Sequence, residues 1–541
     1  MTTPDSSGLL LSARRPAIPG DGPQTTAAVL DSPLATTPDS SALVGRSGRF
    51  TFAELERVVN RAAAALAALG VSARDRVAGC LTNDVDIAIA FLATQRLGAI
   101  WVGLNRPLAP REKAFILEDA GVKVLLCESE TAKALEPHRA DLAALESVEI
   151  VSRDAPKTGW LGQIAAAPRD PGRPQIEVDP FAPAAIAYTS GTTGFPKGAV
   201  HSQHNLMLVA TVLNTTESMP PGVHIGVLLP MTILNMFVRG PLAAWMGGRL
   251  VVCMDRIDPE GIAAWVREER IGMIDTVPTI IRDLLTHENV TEEDLSSLVN
   301  VIIGGADCPP EVAQLYRERF GCDVAIGYGM TEAPTGVART TGEPQKAPGH
   351  CGQPIPQVEL CAVDPEDRVL PPGEVGELCV MPATRGDYAG VYTPMLGYWN
   401  QPEATQEALR NGRYHTGDLG MIDEQGDVYV RGRCKELIVR GGANVYPAEI
   451  ERVLQLHAEV ELAAVLGVED ERLGERVVAA VTLSPGATVE PEALREHVRD
   501  HLARYKIPDQ IRVVPEIPRN SMQKLMKREL ATLFSDTESA A

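Results

Sequence analysis

The 541-residue sequence lacks several features that would place it in a class at once. No stretch approaches the roughly 18 uninterrupted apolar residues of a membrane-spanning helix, so no transmembrane segment is predicted. No apolar signal-peptide core follows Arg14 and Arg15, so we expect a cytoplasmic protein. The nine cysteines are scattered singly, without a CxxC pair or a histidine spacing suited to zinc. They are predicted to be reduced structural thiols.

Positive charge is also scarce. The chain has 50 Lys and Arg against 71 Asp and Glu, which gives a formal net charge of −21. Such a chain repels phosphate backbones unless its basic residues are concentrated on one face, so nucleic acid is not an expected partner. A single hydrophobic core stops growing near about 250 to 300 residues, so at least two domains are expected.

Apolar runs of strand length alternate with amphipathic helical stretches over most of the chain. In the helix predicted over residues 51–70, Thr51 and Glu54 have the spacing of a capping box and Gly70 can close the last turn. Strand-like runs recur at Val77–Leu81, Val124–Cys127, Leu250–Met254, Val299–Ile303 and Val324–Ile326. This alternation predicts an α/β fold with largely parallel sheets that helices cover.

The character of the sequence changes twice toward its end. From about Ile355 short strands and turn signals predict a small β-rich, antiparallel subdomain, and after Arg433 the pattern predicts a small α+β domain. Residues 1–40 are rich in Ser, Thr, Pro and Ala and are predicted to form a loosely ordered arm. The predicted domains are therefore residues 41–434 and residues 435–541.

The string YTSGTTGFPKG, residues 188–198, is the most informative segment. Its glycines allow backbone N–H groups to point inward, its hydroxyls add donors and Lys197 adds a positive charge, as a polyphosphate requires. A flexible Gly/Thr turn is the alternative. The P-loop template is not met, because Pro196 stands where that template needs Gly and Gly198 where it needs Ser or Thr.

Two further glycine-containing segments follow predicted strands. GYGMTE, residues 327–332, comes just beyond the strand Val324–Ile326; Tyr328 offers a flat face for a purine and Glu332 a carboxylate for Mg²⁺. GGAD, residues 304–307, closes the strand Val299–Ile303, at the edge of a parallel sheet where ligands usually bind. The alternatives are a helix-capping Thr-Glu pair and a glycine turn, respectively.

The string at residues 188–198 resembles the signature of the adenylate-forming superfamily, which includes acyl-CoA synthetases, coumarate ligases, luciferase and peptide-synthetase adenylation domains. GYGMTE and GGAD resemble further segments of that family, as do GRYHTGDLG (residues 412–420), VRGRCKELIVRGGANVYPAEIE (430–451) and PRNSMQKLMK (518–527). With MLGYWNQPEAT (395–405) they occur in the family's order from about Phe50 onward. For the last two segments, an exposed polar hairpin and a surface Lys-rich tail are the alternatives.

The resemblance implies a large AMP-binding domain, a mobile C-terminal lid and a two-step reaction in which the lid rotates about a hinge at Lys435. It implies Lys524, Thr193 and Glu332 as catalytic residues, with Glu332 as the Mg²⁺ ligand. Asp418 would bind the ribose, assisted by Arg433, and Gly441 and Gly442 would line the tunnel for CoA. The residues expected to contact ATP or AMP are Thr189, Ser190, Gly191, Thr192, Thr193, Gly194, Lys197, Gly305, Ala306, Asp307, Gly327, Tyr328, Gly329, Met330, Thr331, Asp418, Arg433 and Lys524.

The acyl pocket is specified less closely. By analogy with the family it is expected to be lined by Met231, Ile233, Asn235, Phe237, Gly304 and Val337, with Ile233 at a position where many relatives carry His. The wall is therefore expected to be mainly apolar, and neither an Asp for an amino group nor an Arg for a second carboxylate is identified. The sequence also departs from the family at Gln523, where Gly usually precedes the catalytic Lys.

These observations predict an acyl-CoA ligase for a hydrophobic, aromatic or alicyclic carboxylic acid, with Mg²⁺ as cofactor and ATP and CoA as co-substrates. A stand-alone enzyme that loads a carrier protein and a nucleotide-binding protein impaired in catalysis are the alternatives. The sequence does not determine the oligomeric state, and a homodimer is one possibility.

Overall fold

The computed structural model describes residues 9–10, 14–189, 196–216, 222–305, 308–341, 343–441, 443–470, 472–519 and 525–534. By compactness the chain divides into two units. Unit 1 comprises Met1–Leu360, Cys379–His415 and Gly426–Val428, and unit 2 comprises Cys361–Leu378, Thr416–Gln425 and Tyr429–Ala541. None of the helices in the described ranges combines the length and apolarity needed to cross a membrane.

The strands in chain order are β1 Ser41–Gly45, β2 Gly48–Thr51, β3 Arg76–Cys80, β4 Ile100–Gly103, β5 Val124–Cys127, β6 Ser147–Ile150, β7 Pro183–Thr189, β8 Lys197–Ser202, β9 His224–Val227, β10 Val251–Cys253, β11 Ile271–Thr276, β12 Asn300–Gly304, β13 Ala325–Met330, β14 Thr335–Arg339, β15 Gln353–Pro354, β16 Val358–Val363, β17 Gly376–Pro382, β18 Gly397–Tyr398, β19 Tyr414–Ile422, β20 Val428–Arg433, β21 Ile438–Arg440, β22 Ala443–Val445, β23 Val460–Asp470, β24 Gly474–Leu483 and β25 Gln510–Val513.

The helices in chain order are α1 Asp31–Thr36, α2 Phe52–Ala68, α3 Val85–Arg96, α4 Pro110–Asp119, α5 Ser129–Leu135, α6 Gly159–Ala166, α7 Gln203–Thr215, α8 Leu234–Phe237, α9 Ala243–Met246, α10 Pro259–Glu269, α11 Pro278–Thr286, α12 Pro310–Phe320, α13 Pro402–Ala408, α14 Pro447–Gln455, α15 Pro491–His501 and α16 Lys527–Ala531. A π-helical turn, Val238–Leu242, joins α8 to α9.

Two large sheets form the framework of unit 1. One has nine strands in the order β15-β14-β13-β12-β11-β9-β10-β1-β2, and the other has seven in the order β18-β8-β7-β4-β3-β5-β6. The interior pairs of both sheets are parallel, whereas β2, β14, β15, β8 and β18 pair antiparallel at the edges. The predicted α/β fold with largely parallel, helix-covered sheets is confirmed.

The helix predicted over residues 51–70 forms as α2, with the expected capping box. The Glu54 N–H donates to Thr51 Oγ1 (3.2 Å), and the Thr51 N–H donates to Glu54 Oε2 (2.9 Å). The neighbouring α3 is buried along its whole length, and its last residue, Arg96, forms an ion pair with Glu56 of α2. Although burial opposes it, this pairing lowers the pKa of Glu56 to about 2.

The expectation of a loosely ordered arm through residue 40 is wrong for the second half of that segment. The Thr26 N–H donates to Gln203 Oε1 (3.0 Å) and its hydroxyl donates to Gln95 Oε1 (2.8 Å), while Val29 and Leu30 are completely buried. The polar composition of the segment conceals these few anchoring residues. The short helix α1 follows them directly.

Beyond the two large sheets, β16, β17, β19 and β20 form a four-stranded sheet in that order, within the range predicted to be β-rich. In unit 2, β21–β25 form a further sheet, in which β23 and β24 pair antiparallel and β25 joins β24 in parallel. The helices α14 and α15 contribute Ile450, Leu454 and Leu494 to a core with this sheet. This is the α+β arrangement predicted after Arg433. The domain boundary at residue 435 stays a prediction.

Candidate active site

The segment that carries the predicted phosphate loop is a β-hairpin. β7 and β8 pair antiparallel, with Thr189 opposite Lys197 at the end of the ladder. Ser190, Gly191, Thr192, Thr193 and Gly194 lie outside the described residues. The hairpin therefore brings together the two ends of the loop, a hydroxyl on one strand and an ammonium on the other, as a loop that wraps a polyphosphate requires.

Glu332 lies beside the end of this hairpin. Its Oε1 accepts a hydrogen bond from the Tyr398 hydroxyl (3.0 Å) and a longer one from Thr189 Oγ1 (3.5 Å). Lys197 Nζ lies 5.0 Å from the centre of the Tyr398 ring, close enough for a cation–π contact. The Met395 N–H fixes the Glu332 backbone by donating to its carbonyl (2.8 Å). The hairpin and the segment of Met395 and Tyr398, distant from each other in the chain, thus meet at Glu332.

This cluster is compatible with Mg²⁺. The ion prefers oxygen ligands and is usually bound by one or two carboxylates together with substrate phosphates. Glu332 supplies a carboxylate and Thr189 a hydroxyl next to it, at the end of the predicted phosphate loop. The donor set therefore fits the predicted cofactor.

A buried histidine stands on the same strand as Lys197. Complete burial lowers the pKa of His201 to about 4, so the ring is neutral near pH 7. Asn205 places its side-chain nitrogen 3.3 Å from His201 Nδ1 and donates to the carbonyl of Pro394, one residue before Met395. His201 therefore helps fix the backbone that holds Glu332.

The segment GYGMTE differs from its prediction in secondary structure. It was expected just beyond a strand ending at Ile326, but β13 continues to Met330 and pairs antiparallel with β14. A side chain at Gly329 would approach the carbonyl oxygen of Thr335 to 2.1 Å, so this close crossing requires glycine. The glycines that suggested a loop thus permit a tightly packed strand pair, after which Thr331 and Glu332 begin the connecting turn.

The residues predicted for the acyl pocket fall into two groups. Met231, Phe237 and Val337 are completely buried in the main core of unit 1, where Phe237 stacks on Phe91 with ring centres 4.2 Å apart. Ile233, Asn235 and Gly304 are half-buried. Their role as pocket walls stays a prediction. Gly304 and Gly327 are neighbours across β12 and β13, as expected for strand ends that form the floor of a site.

Gly305 and the two residues after it were predicted to contact the nucleotide. Gly305 follows β12 with a φ of +80°, a conformation that L-residues with a side chain rarely adopt. Ala306 and Asp307 lie outside the described residues.

In unit 2 the structure brings Asp418 and Arg433 together. Arg433 Nε lies 2.9 Å from Asp418 Oδ1, and the Asp418 side chain is only 8% exposed. The Asp418 N–H donates to Thr416 Oγ1 (3.0 Å), and that hydroxyl in turn donates to the carbonyl of Leu378 (2.7 Å). The preceding Gly417 N–H donates to Glu377 Oε1 (3.0 Å). The carboxylate predicted to bind ribose is thus held in a fixed position.

The predicted hinge and CoA segment also lie in unit 2. Lys435 is in the short 3₁₀ turn Cys434–Glu436, between β20 and β21. Gly441 has a φ of +56° in the turn between β21 and β22, and its N–H donates to the carbonyl of Leu473 (2.6 Å). Gly442 lies outside the described residues.

Lys524 also lies outside the described residues, but the two ends of its segment are paired. Arg519 and Leu525 form an antiparallel bridge, and the Met526 N–H donates to the carbonyl of Pro518 (2.8 Å). Arg519 and Leu525, which flank the segment on either side, are therefore held next to each other.

Lys527, the last residue of the motif PRNSMQKLMK, joins this segment to the turn that contains Lys435. Its Nζ lies 2.7 Å from Glu436 Oε2 and 2.8 Å from Glu451 Oε1. Burial opposes its charge, but Glu451 and Glu436 raise the pKa of Lys527 above its usual value. One largely buried ammonium thus joins the turn of Lys435, the helix α14 and the segment of Lys524.

Replacing Lys527 with Met is expected to slow acyl-adenylate formation about tenfold. The resemblance implies Lys524 as the catalytic lysine of this step, and the motif that contains it would lose its contacts with Glu436 and Glu451. Lys506→Met is the matched control, since Lys506 forms an equally buried pair with Glu449 (2.6 Å) elsewhere in unit 2. Both variants should lower the unfolding free energy by about 3 kcal/mol, as removal of one partner of a buried pair does. Equal adenylation rates in the two variants, measured by pyrophosphate exchange, would contradict the positioning role.

Sequence reasoning assigned no role to three of the residues described above. Tyr398 stands within the quoted string MLGYWNQPEAT and Lys527 within PRNSMQKLMK, so the motifs contained them. His201 carried no signal of its own, because its burial and its contact with Asn205 arise only in the folded protein.

Comparison with known proteins shows the family of the chain. A model of the AMP-binding enzyme family matches residues 30–399, and one of the AMP-binding enzyme C-terminal domain matches residues 449–524. The chain is 31% identical to the long-chain-fatty-acid–CoA ligase FadD13 of Mycobacterium tuberculosis, over 90% of this chain and 94% of that protein. It is 32% identical to a feruloyl-CoA synthase of an Amycolatopsis species, over 92% and 96%.

Among solved structures, ATP-bound MatB from Rhodopseudomonas palustris superposes with a TM-score of 0.84 at 29% identity, covering 95% of this chain and 99% of that one. The chain therefore belongs to the AMP-binding enzyme family, and within it to the acyl-CoA synthetases of the adenylate-forming superfamily, which are AMP-forming acid–thiol ligases.

Proposed function

We propose that this protein joins a hydrophobic, aromatic or alicyclic carboxylic acid to CoA through an acyl-adenylate, with ATP and Mg²⁺. The observation that carries the proposal is that Thr189 and Tyr398 bond the Glu332 carboxylate while Lys197 lies over the Tyr398 ring, at the end of the hairpin that bears the predicted phosphate loop. A carboxylate and an ammonium beside such a loop match what a triphosphate and its metal ion require.

In the first step the substrate carboxylate attacks the α-phosphorus of ATP and pyrophosphate leaves. The ammonium of Lys197, with the hydroxyls of the loop, offsets the charge of the departing phosphates, and Lys524 stabilises the charge on the attacking carboxylate and the pentavalent phosphorus. Mg²⁺ held at Glu332 would neutralise part of the pyrophosphate charge. Met395 and Tyr398 keep the Glu332 carboxylate in place throughout.

Nucleotide binding is assigned to Tyr328, Gly305 and Asp418. Tyr328 offers a ring face to the adenine, and Gly305 permits the backbone to pass close to it. The two carboxylate oxygens of Asp418 can accept hydrogen bonds from the paired ribose hydroxyls. Arg433 holds one of these oxygens and so fixes the side chain for that task.

In the second step the thiol of CoA replaces AMP on the acyl carbon. The acyl–oxygen bond breaks, AMP leaves and the thiol proton is released to solvent. Residues 435–541 are proposed to rotate about Lys435 between the steps, so that Gly441 and Gly442 line the path of the thiol. The acyl body is proposed to lie against Ile233, Asn235 and Gly304, with Met231, Phe237 and Val337 behind them.

A panel of acids tests the proposal. Purified protein with ATP and Mg²⁺ is given short and long fatty acids, benzoates, cinnamates and alicyclic acids, and pyrophosphate release is measured with and without CoA. CoA-stimulated turnover on one class is expected. Pyrophosphate exchange without CoA-stimulated turnover would instead favour a carrier protein as acceptor, and the absence of exchange with every acid would contradict adenylation.

A further inference from the structure

A charged pair lies between the helix that follows β9 and the nine-stranded sheet. Arg239 Nε lies 3.1 Å from one carboxylate oxygen of Asp275, and Nη2 lies 2.7 Å from the other. The two side chains are only 13% and 16% exposed. Arg239 belongs to the π-helical turn Val238–Leu242, a kind of turn found frequently at functional sites. The two bonds fix the guanidinium plane in one orientation.

A second arginine lies on the same face of the sheet. Asp275 pairs with Ile302 of β12, and Gly304, two residues after Ile302, pairs with Gly327, which in turn pairs with Arg339. Residues that pair directly point to one face, so Arg339 and Asp275 share it. Burial lowers the pKa of Arg339, and the nearby positive charge of Arg239 lowers it further. Within the described parts of the chain, no carboxylate forms an ion pair with Arg339. Of the two arginines, Arg239 is therefore the one that pairs with Asp275.

Three residues form one row on this face of the sheet: Gly304, Gly327 and Arg339, across β12, β13 and β14. A Cβ added at Gly304 would lie 3.5 Å from the Gly327 carbonyl oxygen, and one at Gly327 would lie 3.6 Å from Ile302 Cγ2. A Cβ at Gly336 would lie 3.9 Å from Arg239 Nη1. These are ordinary contact distances, so an added atom could be accommodated at each of these glycines, and Arg239 lies over the strand that carries Arg339.

Asn235 adds a polar atom to the same region. It precedes Arg239 by four residues, about one helical turn. Its Oδ1 is buried and accepts no hydrogen bond from any described residue. A buried acceptor without a donor is costly, so this atom also favours a polar ligand group.

We infer, resting on the function proposed above, that the acid substrate carries a second carboxylate at the end remote from the reacting one, and that Arg239 and Arg339 hold it. The planar fork of the Arg339 guanidinium matches a carboxylate with two parallel hydrogen bonds, whereas Arg239, whose Nε and Nη2 bond Asp275, would contribute a bond from Nη1. A purely structural ion pair needs one arginine for Asp275, whereas the second arginine gives the site an excess positive charge. The two ends of such an acid would lie close together in the site. Thr331, which is expected beside the reacting carboxylate, lies four residues beyond Gly327, a span of at most about 13 Å along an extended chain.

Equilibrium binding tests the inference independently of turnover. Calorimetry compares suberate with its monomethyl ester, and 4-carboxyphenylacetate with the ester of its ring carboxylate, so that each pair shares one skeleton. At least one diacid is expected to bind about 10- to 100-fold more tightly than its ester, the effect of a charge-assisted hydrogen bond. Equal affinities within both pairs would overturn the inference.

Three variants locate the effect. Arg339→Met should reduce the preference for the diacid at least about tenfold, and so should Arg239→Met combined with Asp275→Leu, which leaves no unpaired carboxylate. Arg319→Met is the control, because Arg319 donates to the carbonyl of Val290 outside this region and should retain the preference. A preference that survives in both test variants would overturn the inference. The proposed function fails separately, if no acid gives CoA-dependent AMP release.

Discussion

Replacing Lys524 with Ala is expected to slow acyl-adenylate formation about 10²- to 10³-fold, the usual effect of removing a group that stabilises transition-state charge. In the proposed mechanism its ammonium offsets the negative charge where the carboxylate attacks the α-phosphorus. The second step needs no such group, because the acyl–phosphate bond is then already formed. Thioester formation from supplied acyl-AMP and CoA should therefore remain within about threefold of the unmodified rate.

Single-turnover measurements separate the two steps. Pyrophosphate release from ATP reports the first, and acyl-CoA release from supplied acyl-AMP reports the second. Gln523→Ala is the matched control, since it alters the neighbouring side chain and keeps the ammonium. If Lys524→Ala slowed both steps to the same extent, Lys524 would be needed for folding or nucleotide binding and not for adenylation.

Replacing Glu332 with Gln is expected to lower the adenylation rate about 10²-fold and to raise the Mg²⁺ concentration needed for half-maximal rate. The amide oxygen can still accept the hydrogen bonds of Tyr398 and Thr189, so the loss reports the charge. Tyr398→Phe is the control, because it removes one hydrogen bond and leaves the carboxylate. We expect it to cost less than about tenfold.

Titration with Mg²⁺ at saturating ATP gives both quantities for each variant. A Glu332→Gln enzyme with an unchanged Mg²⁺ dependence would show that the ion is held elsewhere. A loss in Tyr398→Phe as large as that in Glu332→Gln would show that the hydrogen-bond network, and not the charge, is what matters.

The sequence predicted the parts of the site whose chemistry is local. The hairpin loop, the strand-end glycines and the capping box of Thr51 and Glu54 each consist of residues close together in the chain, so the pattern alone reveals them. The aspartate expected to bind ribose also lies in a recognisable string, although its pairing with Arg433 depends on how β19 and β20 are placed.

The features that were missed depend on distant residues. Arg239 meets Asp275, 36 positions later, only because the helix after β9 packs on the nine-stranded sheet, and Arg339 joins them through the register of β13 and β14. Lys527 likewise meets Glu436 and Glu451 only in the folded unit. At Gly329 the sequence misled, because glycine favours a loop locally while a close strand crossing requires it.

These contacts divide the proposed substrate site into an apolar wall and a charged end. Phe237 and Val337 belong to the core behind the wall, whereas Arg239 and Arg339 lie toward the row of Gly304 and Gly327. A mainly apolar acid with a second carboxylate would satisfy both parts. An apolar acid without one would leave the excess positive charge unmatched.

Isotope transfer tests the acyl-adenylate most directly. The acid that turns over fastest is labelled with ¹⁸O in its reacting carboxylate and incubated with ATP, Mg²⁺ and CoA, and the phosphate-containing products are analysed by mass spectrometry. The proposed mechanism predicts one ¹⁸O in AMP for each acyl-CoA formed, because the carboxylate oxygen bonded to the α-phosphorus leaves with AMP. Label in inorganic phosphate together with ADP, or AMP without label, would contradict it.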